Sequence, residues 1–236
     1  MNETFLMTYK LYYDHISAAE GVRVVLEEIG LPYELVVSFK DRSRPRLAQQ
    51  LVINLNGWIP VLSWDETGMY ECEAIIIFLC DKYPKAQLAP LPNALKRSLY
   101  LQTLVYFSNS VQTAFQTFYY PDRFVDMSSD EASAQRRGIR RLRETLNVID
   151  QQIGGRDWLL GEHFSAADIY FFMLTTWLQP SLGHPSTDEF PNVKRIVEAS
   201  IKRPSIRYVY SVWMPNLVAN QTNAYTSSQK ARYDDD

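Results

Sequence analysis

Ser17 opens the run Ser17-Ala-Ala-Glu20, a spacing in which a serine hydroxyl and a carboxylate three residues on can satisfy the free amides of a helix start. Ser165-Ala-Ala-Asp168 repeats the pattern with aspartate in the acidic place. Tyr12, Tyr13 and His15 lie just before the first of these, so phenol, imidazole and hydroxyl groups share one short stretch. The two cysteines, Cys72 and Cys80, would stand roughly 12 Å apart on one helix, beyond the reach of a disulfide. Free thiols fit a reducing compartment. His15, His163 and His184 are scattered, and no HExxH, CxxC or GxSxG spacing occurs. Neither a metal site nor a hydrolase triad therefore has local support. The 9 glycines form no GxGxxG and no GxxxxGK[ST], which leaves a dinucleotide fold or a P-loop without a basis. Arg136, Arg137, Arg140, Arg141 and Arg143 resemble an RNA-binding stripe in isolation, but the interspersed Glu131 and Glu144 favour a solvated helix face.

These groups need elements to hold them, and 236 residues with 46% hydrophobic and 22% charged side chains can build two modest domains or one large one. A net charge of -3 supplies no basic field, so nucleic acid is not an expected partner. Aromatics are the outlier, with 15 Tyr, 11 Phe and 5 Trp to be placed in a core or a pocket. The start has no basic segment followed by an apolar stretch, and the longest apolar run, residues 74–80, is too short to span a bilayer. No membrane segment is expected, and the chain reads as cytoplasmic.

Residues 10–13 form a β-prone run, and Val22, Val24, Val25, Leu26 and Ile29 recur at largely helical spacing before the stop Gly30. A second strand is expected at 33–37, a basic stretch at Arg42, Arg44 and Arg46, and a weak helix at 47–53. Residues 60–64 and 69–70 read as a hairpin about the turn Asp65-Glu-Thr-Gly68, followed by a helix over 71–83. The order is β-α-β-α-β-β-α. Pro84, Pro90 and Pro92 then mark a linker. Beyond it helical spacing dominates: a long helix from about Ala94 toward Pro121, others at 129–153, from Ser165, and at 192–202 and 204–213. The end, past Leu217, reads as a frayed tail.

The pieces YKLYYDHIS, VRVVLEEIGLPYE, NLNGWIPVLSWDETG, ECEAIIIFLCDKYP and FSAADIYFFML, in this order and at these separations, resemble the glutathione S-transferase superfamily from about Thr8 to Met214. KAQLAPLPNALKRSLY and FYYPDR are similar to a bacterial-type subgroup, and Ser17 to its Ser-type members. The resemblance implies an α/β thioredoxin-like, glutathione-binding domain over 1–84, a linker over 85–93, an all-helical domain with the acceptor site over 94–216 and a tail over 217–236.

It also implies roles. Pro60 falls where the family has a cis-proline, and the turn would offer the backbone of Ile59 to the cysteinyl backbone of glutathione; otherwise Pro60 simply opens a strand. Glu71 and Cys72 stand at the helix start that would receive the γ-glutamyl group, with Cys72 in place of a serine that donates better. Glu71 also suits a helix start for its own sake. Ser17 would donate to the glutathione sulfur, or only cap its helix. Tyr13 is the reserve, with Tyr12 and His15 behind it, and strand packing is the plainer role for Tyr13. Ala18 and Ala19 stand where beta-class members carry Cys-Ser, so no mixed-disulfide chemistry is implied. Tyr106, Phe115, Tyr119 and Trp177 would line the hydrophobic acceptor site, although an aromatic stripe can equally be core.

The activity implied is conjugation of the glutathione thiolate to a small hydrophobic electrophile by a homodimer, with no cofactor beyond glutathione as co-substrate and no metal. A glutathione-dependent peroxidase, dehalogenase or lyase, or a non-catalytic interaction module, would use the same fold. Lowering a thiol pKa two units below 8.5 gives ~25-fold more thiolate at pH 7 and costs ~8-fold in nucleophilicity, so pKa tuning alone yields about threefold. Holding the reactants together must do more.

Overall fold

The strand β1 (Tyr9–Tyr13) lies inside the sheet, buries Tyr9 and Leu11 on one face, and on the other buries Tyr12 while exposing Lys10. The computed structural model describes residues 8–39, 41 and 43–211; Arg42, Trp213, Met214 and the expected tail lie outside the described residues. Helix α1 (Ala19–Ile29) carries the chain back to β2 (Tyr33–Val37), which pairs parallel to β1 from Tyr9↔Tyr33 to Tyr13↔Val37. Gly30, at φ 77°, ends α1 by returning its amide to the carbonyls of Leu26 and Glu27. After α2 (Ala48–Ile53) come β3 (Val61–Trp64), antiparallel to β1, and β4 (Thr67–Tyr70), antiparallel to β3. Thr67 pairs with Trp64, so the turn is the two residues Asp65-Glu66, tighter than the four expected. The sheet order is β2-β1-β3-β4, and α3 (Cys72–Lys82) closes the unit with both cysteines buried and free.

The first cap is not built as its spacing predicts. Helix α1 starts at Ala19, the Ser17 hydroxyl donates to the Asp14 carbonyl at 2.6 Å, and Glu20 is buried beside His15 and Arg23. The second cap is built as predicted. Asp168 accepts from the Ser165 amide and hydroxyl at 2.9 and 2.8 Å, starting the wholly buried α7 (Ala166–Thr175), and its other oxygen accepts from the Leu159 amide.

The linker is fixed rather than loose: Leu88 is buried, and its carbonyl accepts from the Ala166 amide at 2.8 Å. The expected long helix is α4 (Arg97–Tyr106), a π-helical segment Phe107–Gln112, and α5 (Thr113–Tyr119), all in right-handed helical geometry. Phe107 of the π segment stacks on Phe171 at 5.3 Å, and Gln112 accepts from the Tyr170 hydroxyl at 2.7 Å. Helix α6 (Glu131–Ile153) buries Ala134, Gly138, Leu142, Leu146, Ile149 and Ile153 on one stripe. Its five arginines are exposed, with Arg141 paired to Glu144 and Arg143 to Glu189. Helices α8 (Pro191–Ser200) and α9 (Pro204–Tyr210) each begin on a proline. Across the two parts, Arg203 grips Glu28 of α1 with two bonds of 2.7 Å, and Ser205 adds a third.

Gly138 lets α5 and α6 approach closely. A Cβ there would stand 2.9 Å from the Ala114 carbonyl and 3.0 Å from the Phe118 amide, both backbone atoms that cannot swing aside. Gly138→Ala is expected to destabilise by about 1–3 kcal/mol through overpacking, read by urea denaturation. Because α5 would move as a body, the same variant should shift the KM of the second substrate more than that of glutathione.

Candidate functional site

A cleft of about 480 Å³ runs between the sheet unit and the helical part. Its floor is the turn before β3. Gln50, fully buried, and Asn54 both donate to the Trp58 carbonyl, at 3.2 and 3.1 Å, and Ser38 donates to Gln50. This fixes the loop, and the Ile59–Pro60 bond that follows is cis. The bond thus has the expected cis geometry, and Pro60 also leads directly into β3.

Glu71, at φ 72° and ψ 113°, occupies a region that non-glycine residues seldom adopt, at the start of α3. It lines the cleft beside Cys72. The first amides of α3 have no partner within the helix and carry the positive end of its dipole. The Cys72 thiol donates to the Ala18 carbonyl at 3.2 Å, and burial holds its pKa far above the ordinary range, with Glu71 and Glu73 adding to the effect. The thiol is a packed, protonated link between α1 and α3. What Cys72 can offer a ligand is its backbone amide.

Ser17 lines the cleft too, within a bend in which Ile16 has φ 54°. The reserve residue Tyr13 does not line it; its ring stands edge-on to His15 at 5.6 Å. Tyr12 is buried in the sheet, and it and His15 are likewise absent from the cleft wall.

The far wall belongs to α5 and the loop after α7. Phe115 stacks along Tyr119 at 6.4 Å and meets Trp177 edge-on at 5.5 Å, while the Tyr119 hydroxyl donates to the Trp177 carbonyl at 2.8 Å. Behind them His184 is buried among the rings of Phe115, Phe118 and Tyr119. Burial lowers its pKa, and its Nδ1 accepts from the Gln179 amide, so a neutral imidazole pins the loop. Tyr106 is the exception among the four expected acceptor residues. It lies by Arg141 and Glu144 of α6, on the side of the rod away from the cleft, where burial raises its pKa.

The sequence reading missed Trp58, Gln112, Gln116, Arg123 and Gln179, all of which line the cleft. FYYPDR was singled out, but nothing in it signals that Arg123 reaches Trp58 across the fold. Among the described residues no group of three His, Cys, Asp or Glu could hold a metal ion, and no helix is long and apolar enough to cross a membrane.

Residues 11–87 match the family described as Glutathione S-transferase, N-terminal domain, and residues 108–204 match Glutathione S-transferase, C-terminal domain. The chain belongs to the glutathione S-transferase superfamily. Glutathione S-transferase GstA of Escherichia coli O157:H7 is 25% identical over 170 residues, 71% of this chain and 81% of that one. Among solved structures, a glutathione transferase homologue from Sulfitobacter with bound glutathione aligns at TM-score 0.78 and 23% identity, over 88% of this chain and 99% of its own. A ternary complex of BphK, a bacterial glutathione S-transferase, aligns at TM-score 0.74 and 25% identity, over 86% and 98%. The transferase fold and the bacterial type expected from the sequence are thus found.

Proposed function

We propose that the cleft binds glutathione extended, its γ-glutamyl group at Glu71 and the first amides of α3, its cysteinyl backbone along Ile59 and its sulfur at Ser17. The observation that carries this reading is the convergence of Ser17, cis Ile59–Pro60 and Glu71 on one cleft that faces an aromatic wall. The glutathione thiol gives up its proton to solvent water. The thiolate then forms a bond to an electrophilic carbon whose apolar body rests on Phe115, Tyr119 and Trp177, and the electron pair leaves with the departing group or moves onto the acceptor.

Glutathione should bind the purified protein with a calorimetric signal at millimolar ligand or below; no heat at that concentration overturns the reading. Glu71→Gln should weaken that binding about tenfold, since it removes a charge-assisted bond to the ligand ammonium while keeping the shape. The buried free thiols of Cys72 and Cys80 fit a cytoplasmic setting. The working unit proposed is a homodimer, which sedimentation would test.

A further inference from the structure

The apolar electrophile read from the aromatic wall leaves one group on that wall unexplained. Arg123, in the turn after α5, lines the cleft with its guanidinium carbon 4.3 Å from the centre of the Tyr120 ring and 4.9 Å from that of Trp58. Both rings lie within cation–π range of the guanidinium carbon, and such contacts leave its N–H donors for an oxygen acceptor. Among the described residues Arg123 has no carboxylate partner and donates to no protein oxygen. The other arginine on the cleft is committed: Arg46 donates to the carbonyls of Gly57, Asp41 and Arg44 at 2.7, 2.8 and 3.1 Å. The one carboxylate among the described lining residues, Glu71, belongs to the start of α3 rather than to the wall.

Donors dominate the neighbouring wall as well. Gln112 spends its carbonyl oxygen on the Tyr170 hydroxyl, so its NH₂ group is what remains for the cleft. Gln116 follows one turn on and lines the same wall.

We propose that Arg123 recognises an anionic group on the second substrate, making that substrate an electrophile with an apolar body and a carboxylate or similar anion. The proposal rests on the transferase reading above. The alternative use of the same cation is the glycyl carboxylate of glutathione itself, and the test separates the two.

The probes are two S-substituted glutathiones that mimic the conjugate, S-(4-carboxybenzyl)glutathione and its benzoate methyl ester, titrated calorimetrically beside glutathione alone. The wild-type protein should bind the acid about tenfold more tightly than the ester. Arg123→Met should erase that ratio while changing glutathione binding less than twofold, and Arg123→Lys should retain part of it. Equal affinity for acid and ester in the wild-type protein overturns the proposal. So does an Arg123→Met protein in which the ratio survives and glutathione itself binds about tenfold more weakly, which would give Arg123 to the glycyl carboxylate. A protein that binds neither conjugate nor glutathione fails at the earlier step, and the transferase reading falls with this one.

Discussion

Ser17→Ala is expected to lower kcat/KM for glutathione conjugation by about ten- to a hundredfold, the worth of one hydrogen bond to a charged group, ~1.5–3 kcal/mol. In the ligand-free geometry the hydroxyl proton is given to the Asp14 carbonyl at 2.6 Å, and the oxygen accepts weakly from the Ala19 amide at 3.3 Å. A thiolate at this site offers a charged acceptor in place of a neutral one, so turning the proton toward it is favourable. Because Ser17 forms no capping box, loss of the hydroxyl should cost only ~1 kcal/mol of stability, from the Asp14 bond. The thiolate absorbance of bound glutathione, followed against pH, should show its pKa rising in the variant. A drop of no more than about threefold would leave Ser17 with pKa tuning alone, and full activity would remove it from the chemistry.

Asp168→Ala is expected to cost about 3–5 kcal/mol, a fall of roughly 10 °C in Tm for a chain of this size. The fully buried carboxylate is the acceptor for the Leu159 amide, the Ser165 amide and the Ser165 hydroxyl, and alanine leaves all three buried donors unmatched. Relief of the desolvated charge offsets part of that loss. Burial pushes the Asp168 carboxyl up to about 6 from 3.8, against the opposing pull of those bonds. The unfolded chain therefore ionises first as pH rises. Stability contributed by this group falls between pH 4 and 6, by about 3 kcal/mol, and is level above. Urea denaturation across that range should show the wild-type protein losing stability relative to Asp168→Asn as pH rises; parallel curves would contradict the raised pKa.

The two serine patterns show what a sequence can and cannot reveal. At Ser165 the pattern and the helix start coincide, and the box forms. At Ser17 the same spacing fails because the hydroxyl turns back to Asp14, and Glu20 is drawn into a buried group with His15 and Arg23. The first strand was readable from the β-prone run at residues 10–13, and Pro60 because its flanks carry the family pattern. Gln50 and Asn54 look like surface residues of a weak helix, yet they hold the Trp58 carbonyl beneath the site. Arg123 finds Trp58 through the tertiary fold alone. Six residues are too few for apolar spacing to separate a π-helical segment from an α-helical one, so the acceptor wall was placed on one uninterrupted helix and Tyr106 was assigned to it.

That π segment makes the winding of the backbone, rather than residue type alone, a determinant of what the cleft recognises. Wound as α-helix with no residue lost, the stretch 107–112 would gain one residue's worth of turn and rise. Everything beyond would then turn by about 100° and slide by about 1.5 Å. Phe115, Gln116 and Tyr119 would leave the cleft together, and Arg123 would lose its perch between Tyr120 and Trp58. The sheet unit, with Ile59, Pro60 and Glu71, would feel nothing directly. A change that tips this stretch from π to α winding is thus a route by which such a scaffold could exchange its second substrate in one step while keeping its first.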